Sequence, residues 1–191
     1  MSAAHPVFHS LRDYFAFEEH SPDKHEYLAG QIYAMAGGTP DHAALAAAVT
    51  VALGVRLQGG SCRVYSSDLR IGVRESTLVT YPDVSVVCGP RELHPENENT
   101  VTNPILVVEV TSKSTEEYDR GEKFEHYRQI PALQEYVLVS HRERAIEVRR
   151  RGAGGSFTTH LAHAGERAEL TSVGGTLHVD AIYAAATEPA A

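Results

Sequence analysis

Leu11, Tyr14, Phe15 and Phe17 recur at helical spacing behind Ser10 and Asp13, a capping-box arrangement, so the chain should open with a short helix. HEYLAGQIYAM (25–35) then reads as two short strands around the tight turn Ala29-Gly30. Pro40 and Asp41 open an Ala/Leu/Val helix expected to run to about Gln58 and to stop at Gly59-Gly60. CRVYSSDLRIGV (62–73) reads as paired or bent extended segments meeting near Ser66–Asp68, and YPDVSVVC (81–88) as a short strand whose proline suits its first residue. NPILVVEV (103–110) is apolar without alternation, the signature of a strand buried on both faces.

Beyond it, Ser114 or Thr115 starts a helix with Glu116, Glu117 and Asp119 in its first turn, continuing through Lys123, Phe124, Tyr127 and Arg128 to Pro131. ALQEYVLVS (132–140) is the next buried strand, RAIEVRRR and SFTTHLAH form a hairpin about a Gly-rich turn, and a last short helix follows Asp180. The order predicts one α/β domain over 1–191, a mixed sheet flanked by helices, with a core at about 10–163. The first residues, RELHPENENT (91–100), the turn at 151–156 and the tail AAATEPAA read as soft segments.

Composition changes this picture little. With 191 residues, 42% hydrophobic and 22% charged, the chain has the makings of a globular core, and no apolar run approaches the roughly 20 residues a membrane helix needs. The N-terminus lacks both a basic start and a continuous apolar stretch, so it does not read as a signal peptide. Cys62 and Cys88 are too few and too far apart for a disulfide framework or a zinc knuckle, and a reduced, cytoplasmic setting is expected. A net charge of −8 argues against coating nucleic acid through a general positive field, but allows a local basic groove.

The chemistry concentrates in two acids. Glu109 stands near the carboxyl end of an otherwise apolar strand, where a lone carboxylate is costly unless paired or metal-bound. Asp83 opens its own strand, and an antiparallel pairing of the two strands would put both carboxylates at one edge. Two such oxygen donors suit Mg²⁺ or Mn²⁺, which take one or two carboxylates together with waters and substrate phosphate. His42 sits at the start of the long helix, where it could meet a phosphate or cap the helix. Asp68 reads as a turn residue.

Pro82-Asp83, the strand ending in Glu109 and the helix after it resemble the PD-(D/E)XK nucleases. More narrowly, HEYLAGQIYAMAGG with His42 after it, SSDLRIGV, YPDVSVV and NPILVVEVTSKSTEEYDRGEKFEHYRQIPALQEYVLV are similar to the Uma-type family of bacterial restriction-endonuclease-like proteins, over roughly residues 10–160. The resemblance implies a restriction-endonuclease-like fold and metal-dependent hydrolysis of phosphodiester bonds, with DNA as the expected substrate. Asp83 matches the first acid of the pattern and Glu109 the second. The lysine expected two residues after the second acid is absent: Thr111 stands there, and Lys113 lies past the strand's end. Lys123, four residues from both Asp119 and Tyr127, is the candidate replacement, to orient water or stabilise developing charge. The resemblance also suggests Glu26 as an auxiliary acid near the metal. A homodimer would suit cleavage of both strands of a duplex.

Two rival readings remain. The missing strand lysine would suit a binding module that keeps the fold without the activity, and the acidic balance would suit a metal-dependent hydrolase of another substrate. His160 and His163, three apart in a strand, point to opposite faces and do not make a zinc site. The Arg-rich stretch HRERAIEVRRR could touch a phosphate backbone, but reads more simply as a charge-blunted hairpin edge.

Overall fold

The computed structural model describes residues 8–186. Its first helix, α1 (Leu11–Glu18), is capped by Ser10 as the spacing predicts: the Ser10 hydroxyl accepts from the Asp13 amide and the Asp13 carboxylate accepts from the Ser10 amide. β1 (His25–Leu28) and β2 (Gln31–Ala34) form a hairpin whose turn residues, Ala29 at φ 47° and Gly30 at φ 91°, are both left-handed, the twist that tight hairpins require. α2 (Pro40–Leu57) carries proline in its first turn behind Thr39, whose hydroxyl accepts from the His42 amide.

Next come β3 (Cys62–Ser66), β4 (Arg70–Val73), β5 (Leu78–Thr80), β6 (Val84–Cys88), β7 (Leu93–His94), β8 (Asn97–Val101) and β9 (Leu106–Val110). α3 (Glu116–Arg120) and α4 (Glu122–Tyr127) precede β10 (Glu135–Val139), β11 (Ala145–Arg151), β12 (Phe157–His163), β13 (Arg167–Leu170), β14 (Gly175–His178) and α5 (Val179–Ala186). The central sheet has the order β12-β11-β10-β9-β6-β3, with β9 and β10 parallel and the other pairs antiparallel. A second sheet, β2-β1-β5-β4-β8-β7, stands beside it, and β13 and β14 form a separate hairpin. This is the mixed α/β architecture the element order implies. Among the described residues, no helix is long and apolar enough to cross a membrane.

Two apolar clusters clasp the central sheet. On one face Val84, Val86, Leu106, Val108, Val110, Val137 and Val139 pack against Leu45, Val49 and Leu53 of α2. On the other, Val87, Val107, Tyr136 and Leu138 meet Phe124 and Tyr127 of α4 and Ile71, Val73 and Leu78 of the second sheet. The unbroken apolar run of β9 therefore reflects burial on both sides, every residue from Leu106 to Val110 being buried. Because strand side chains alternate, Glu109 falls on the Val107 face, toward α4.

Several expectations are corrected. The helix expected from Ser114 or Thr115 to Pro131 is two short helices broken at Gly121, where a Cβ would come within 3.0 Å of the Glu117 carbonyl oxygen. RELHPENENT is not a loop: β7 and β8 pair as a hairpin and β8 runs parallel to β4, burying Asn97, Thr100 and Val101. β3 and β4 do not pair with each other; the chain bends at Ser66–Asp68 and passes from one sheet to the other. The strand expected from Tyr81 begins at Val84, after Asp83.

Cys62 and Cys88, 26 residues apart, form a disulfide, because the β3–β6 register sets them directly opposite each other. The core extends past residue 163 to Leu170, Leu177, Val179 and Ile182, since β13, β14 and α5 cover the α2 face of the sheet. Of the tail expected to be soft, Ala184–Ala186 belong to α5; the rest of it, like residues 1–7, lies outside the described residues.

Candidate active site

The antiparallel β6–β9 register pairs Val84 with Val108, so Asp83 and Glu109 are the next residues outward on neighbouring strands. Backbone amides of the two strands fix both carboxylates. The Val110 amide donates to Asp83 Oδ2 at 2.8 Å, and the Asp83 amide donates to Glu109 Oε2 at 3.4 Å. The proline before Asp83 lies outside the strand, so its missing N–H costs the ladder nothing.

Glu109 Oε1 faces α4. It accepts from the Tyr127 hydroxyl at 3.0 Å and lies 2.9 Å from Lys123 Nζ. Lys123 is 6% exposed, and its ammonium also stands 3.8 Å from Asp119 Oδ1 and 3.9 Å from Glu26 Oε2. Glu26, carried by β1, accepts from Thr80 Oγ1 at 2.6 Å and from the Tyr118 hydroxyl. The break at Gly121 does not disperse the set: Asp119 is fastened by the Tyr136 hydroxyl, which donates to its carbonyl, and Lys123 and Tyr127 follow on α4.

His42, from the first turn of α2, reaches Asp83 from the opposite side, with Nε2 3.2 Å from Oδ2. It stands between two cavities, one of about 700 Å³ lined by Lys24, Gly38, Ser66, Tyr81 and Asp83, the other of about 360 Å³ lined by Thr111, Ser112, Lys113 and His141. A Cβ on Gly38 would come within 2.5 Å of the His42 ring at Nδ1, so only glycine leaves that ring its place.

The electrostatics follow from burial. Desolvation pushes Glu109 up to about 8, with Lys123 pulling it down and Asp83 pushing it further up. Asp119 is raised by the same desolvation, against the pull of Lys123. For Lys123, burial works to lower the pKa, but the fields of Glu109, Glu26 and Asp119 outweigh it and hold the ammonium well above its ordinary value. His42 is raised chiefly by its hydrogen bond to Asp83, against a smaller effect of burial. One ammonium thus serves three buried carboxylates, with Asp83 beside them.

All five residues picked out in the sequence, Asp83, Glu109, Lys123, Glu26 and His42, converge here. Asp119 and Tyr127, each four residues from Lys123, join them in the site. Tyr118 and Thr80 join as well, and no local sequence pattern marks either one, since their partner Glu26 is 92 and 54 residues away. Thr111, at the position of the expected lysine, is fully buried and fastens the β10–β11 turn: its amide donates to the Val139 carbonyl, and its hydroxyl meets the His141 ring at 3.0 Å. Lys113 is exposed beyond the strand, and Asp68 is an exposed turn residue 2.6 Å from Lys24 Nζ.

The arginines of β11 serve the fold. Arg151 donates to the carbonyls of Leu133, Arg128 and Ile130, Arg150 pairs with the buried Glu135, and Arg149 bonds Glu147 and the Arg120 carbonyl.

The donor set can be tested for a divalent cation. Among the described residues, no group of three or more His, Cys, Asp or Glu side chains is disposed to hold a metal ion. Asp83 and Glu109 offer a pair, which is what Mg²⁺ or Mn²⁺ needs when water and substrate phosphate supply the remaining oxygens. The surplus of carboxylate over ammonium around Lys123 fits such an ion.

Comparison with known proteins bears on the family and the fold. The family described as "Uma2: Putative restriction endonuclease" matches residues 11–180. The "Uncharacterized protein slr1290" of a Synechocystis strain is 41% identical over 174 residues, covering 91% of this chain and 90% of that protein. A second Synechocystis protein, the "Uncharacterized protein sll1609", is 34% identical over 127 residues, covering 66% and 72%. The crystal structure of "a putative nuclease belonging to DUF820" from Anabaena variabilis superposes with a TM-score of 0.75, at 17% identity, over 95% of this chain and all of that one, and so shares its fold. On the family match over most of its length, the chain belongs to the Uma2 family, which carries the restriction-endonuclease description.

Proposed function

We propose that this protein is a Mg²⁺- or Mn²⁺-dependent nuclease that hydrolyses phosphodiester bonds in DNA. The observation that carries the reading is the juxtaposition of Asp83 and Glu109, the Val110 amide donating to Asp83 and the Asp83 amide to Glu109, with Lys123 Nζ 2.9 Å from the inner oxygen of Glu109. Acid, acid and lysine are the elements of the PD-(D/E)XK pattern, with the lysine supplied by α4 in place of Thr111.

Asp83 and Glu109 would hold the cation, which when bound supplies Lewis acidity toward the scissile phosphate and acidifies water. The chain's own groups do the rest. The Val110 amide and the His42 ring both grip Asp83 Oδ2 and fix the carboxylate's plane. Lys123 presents a fixed positive charge to the charge that develops on the phosphoryl oxygens. The carboxylates of Glu109, Asp119 and Glu26 hold that ammonium in position, and Tyr127 donates to the Glu109 oxygen that faces it. The two cavities flanking His42, the larger of them lined by Asp83, are where the strand would run.

The test is cleavage of duplex and single-stranded DNA and of RNA by wild type and Asp83→Ala, with Mn²⁺, with Mg²⁺ and with chelator. Cation-dependent cleavage of DNA that Asp83→Ala loses is the expected result. Absence of cleavage of every substrate with both cations would overturn it.

A further inference from the structure

We infer that Lys123's ammonium fills the place a second metal ion would take, so that the site binds one divalent cation per chain. This rests on the reading of Asp83 and Glu109 as the ion-holding pair. The two oxygens of Glu109 have separate duties. Oε1 is engaged by Tyr127 and Lys123, while Oε2, which receives the Asp83 amide at 3.4 Å, lies on the Asp83 side.

The carboxylates on the Oε1 side converge on Nζ. Glu109, Asp119 and Glu26, from β9, α3 and β1, stand at 2.9, 3.8 and 3.9 Å from it. Glu26 has both oxygens engaged by hydroxyl donors as well, Thr80 on Oε2 and Tyr118 on Oε1. A divalent ion bound at the roughly 2.1 Å typical of Mg²⁺–oxygen contacts could not share that space with an ammonium.

The lysine is therefore a built-in cation of fixed stoichiometry, and the site depends on ion concentration at one position only.

Mn²⁺ stoichiometry, read from the paramagnetic resonance of the free ion, tests this on the full chain, alone and with a duplex DNA oligonucleotide. Wild type is expected to saturate at one ion per chain, Asp83→Asn to bind none, and Lys123→Met to take two. Asp119→Asn, the variant to use if Lys123→Met does not fold, is expected to keep one ion with affinity lowered by no more than about tenfold. Two ions in wild type, a single ion in folded Lys123→Met, or loss of the ion in Asp119→Asn would overturn the inference. No ion in wild type under either condition would instead overturn the metal-dependent reading itself.

Discussion

Lys123 and Glu109 form the innermost contact of the candidate site, Nζ to Oε1 at 2.9 Å, with both side chains buried. One comes from a six-residue helix and the other from the middle of a six-stranded sheet, and Tyr127 donates to the same oxygen. The pair converts what would be an unsupported buried carboxylate into an anchored one.

Lys123→Ala leaves Glu109, Asp119 and Glu26 without their shared cation. Breaking one side of a buried ion pair costs about 3–5 kcal/mol, which urea unfolding monitored without divalent cations should show. A cost under about 1 kcal/mol, the range of exposed ion pairs, would mean that the ammonium is not seated among the acids.

Tyr127→Phe removes one donor from Glu109 while keeping the ring's packing. The expected loss is about 1–3 kcal/mol, the value of a hydrogen bond to a carboxylate or of a buried acceptor left short of a donor. The Mn²⁺-induced rise in melting temperature should persist, since the oxygen that loses its partner faces Lys123; its disappearance would place the ion on the wrong side of Glu109.

His42 should titrate above the ordinary imidazole value, because Asp83 favours its charged form. The stabilisation from this pair is therefore complete below the unfolded pKa of about 6.5 and is lost as pH rises through the folded midpoint. Proton NMR of the His42 ring should show the raised midpoint, and Asp83→Asn should bring it down. Adding Mn²⁺'s diamagnetic stand-in, Mg²⁺, should lower the midpoint too, by drawing on the same carboxylate. A midpoint indifferent to both changes would break the link between His42 and Asp83.

Gly38→Ala places a methyl group where the His42 ring now lies, 2.5 Å from Nδ1. The ring must swing away, so the His42 midpoint should fall toward that of free imidazole. Activity should drop by about 10–100-fold, as for loss of a group that orients a metal ligand. Unchanged activity and titration would show that the loop at 36–39 yields instead.

Arg151→Ala separates a structural from a DNA-binding role for the arginine-rich hairpin. Three carbonyls accept from Arg151, and their loss should cost about 2–3 kcal/mol in unfolding experiments. The salt dependence of DNA binding should keep its slope; a slope reduced by about one would mark Arg151 as a phosphate contact after all.

Much of the site was legible because its signals are local. An acid inside an apolar strand, a Pro-Asp dipeptide before another, and a lysine four residues from an acid and from a tyrosine can each be read within a dozen residues. The sequence reading makes the shared edge conditional on an antiparallel pairing of the Asp83 and Glu109 strands, and β6 and β9 pair that way. The helix break at Gly121 was not legible, since a glycine inside a helical pattern does not by itself end the helix; the backbone there leaves the helical region at φ −107°, ψ −101°. Nor was the β7–β8 hairpin: RELHPENENT looks like a solvated loop until β4 offers its edge.

By itself, then, the sequence determined where the buried strands lie, that the first helix is capped at Ser10, and which two acids would share an edge, because burial periodicity and capping are properties of short windows of chain. Tertiary structure alone decided what surrounds those acids. It set the disulfide opposite itself across β3 and β6, turned the β11 arginines onto carbonyls, and brought Glu26, Thr80 and Tyr118 to Lys123 from elements as many as 92 residues apart in the chain. The physical reason is that a buried charge is tolerated only where several partners converge on it, and that convergence is a property of the packed sheets, which no single stretch of sequence contains.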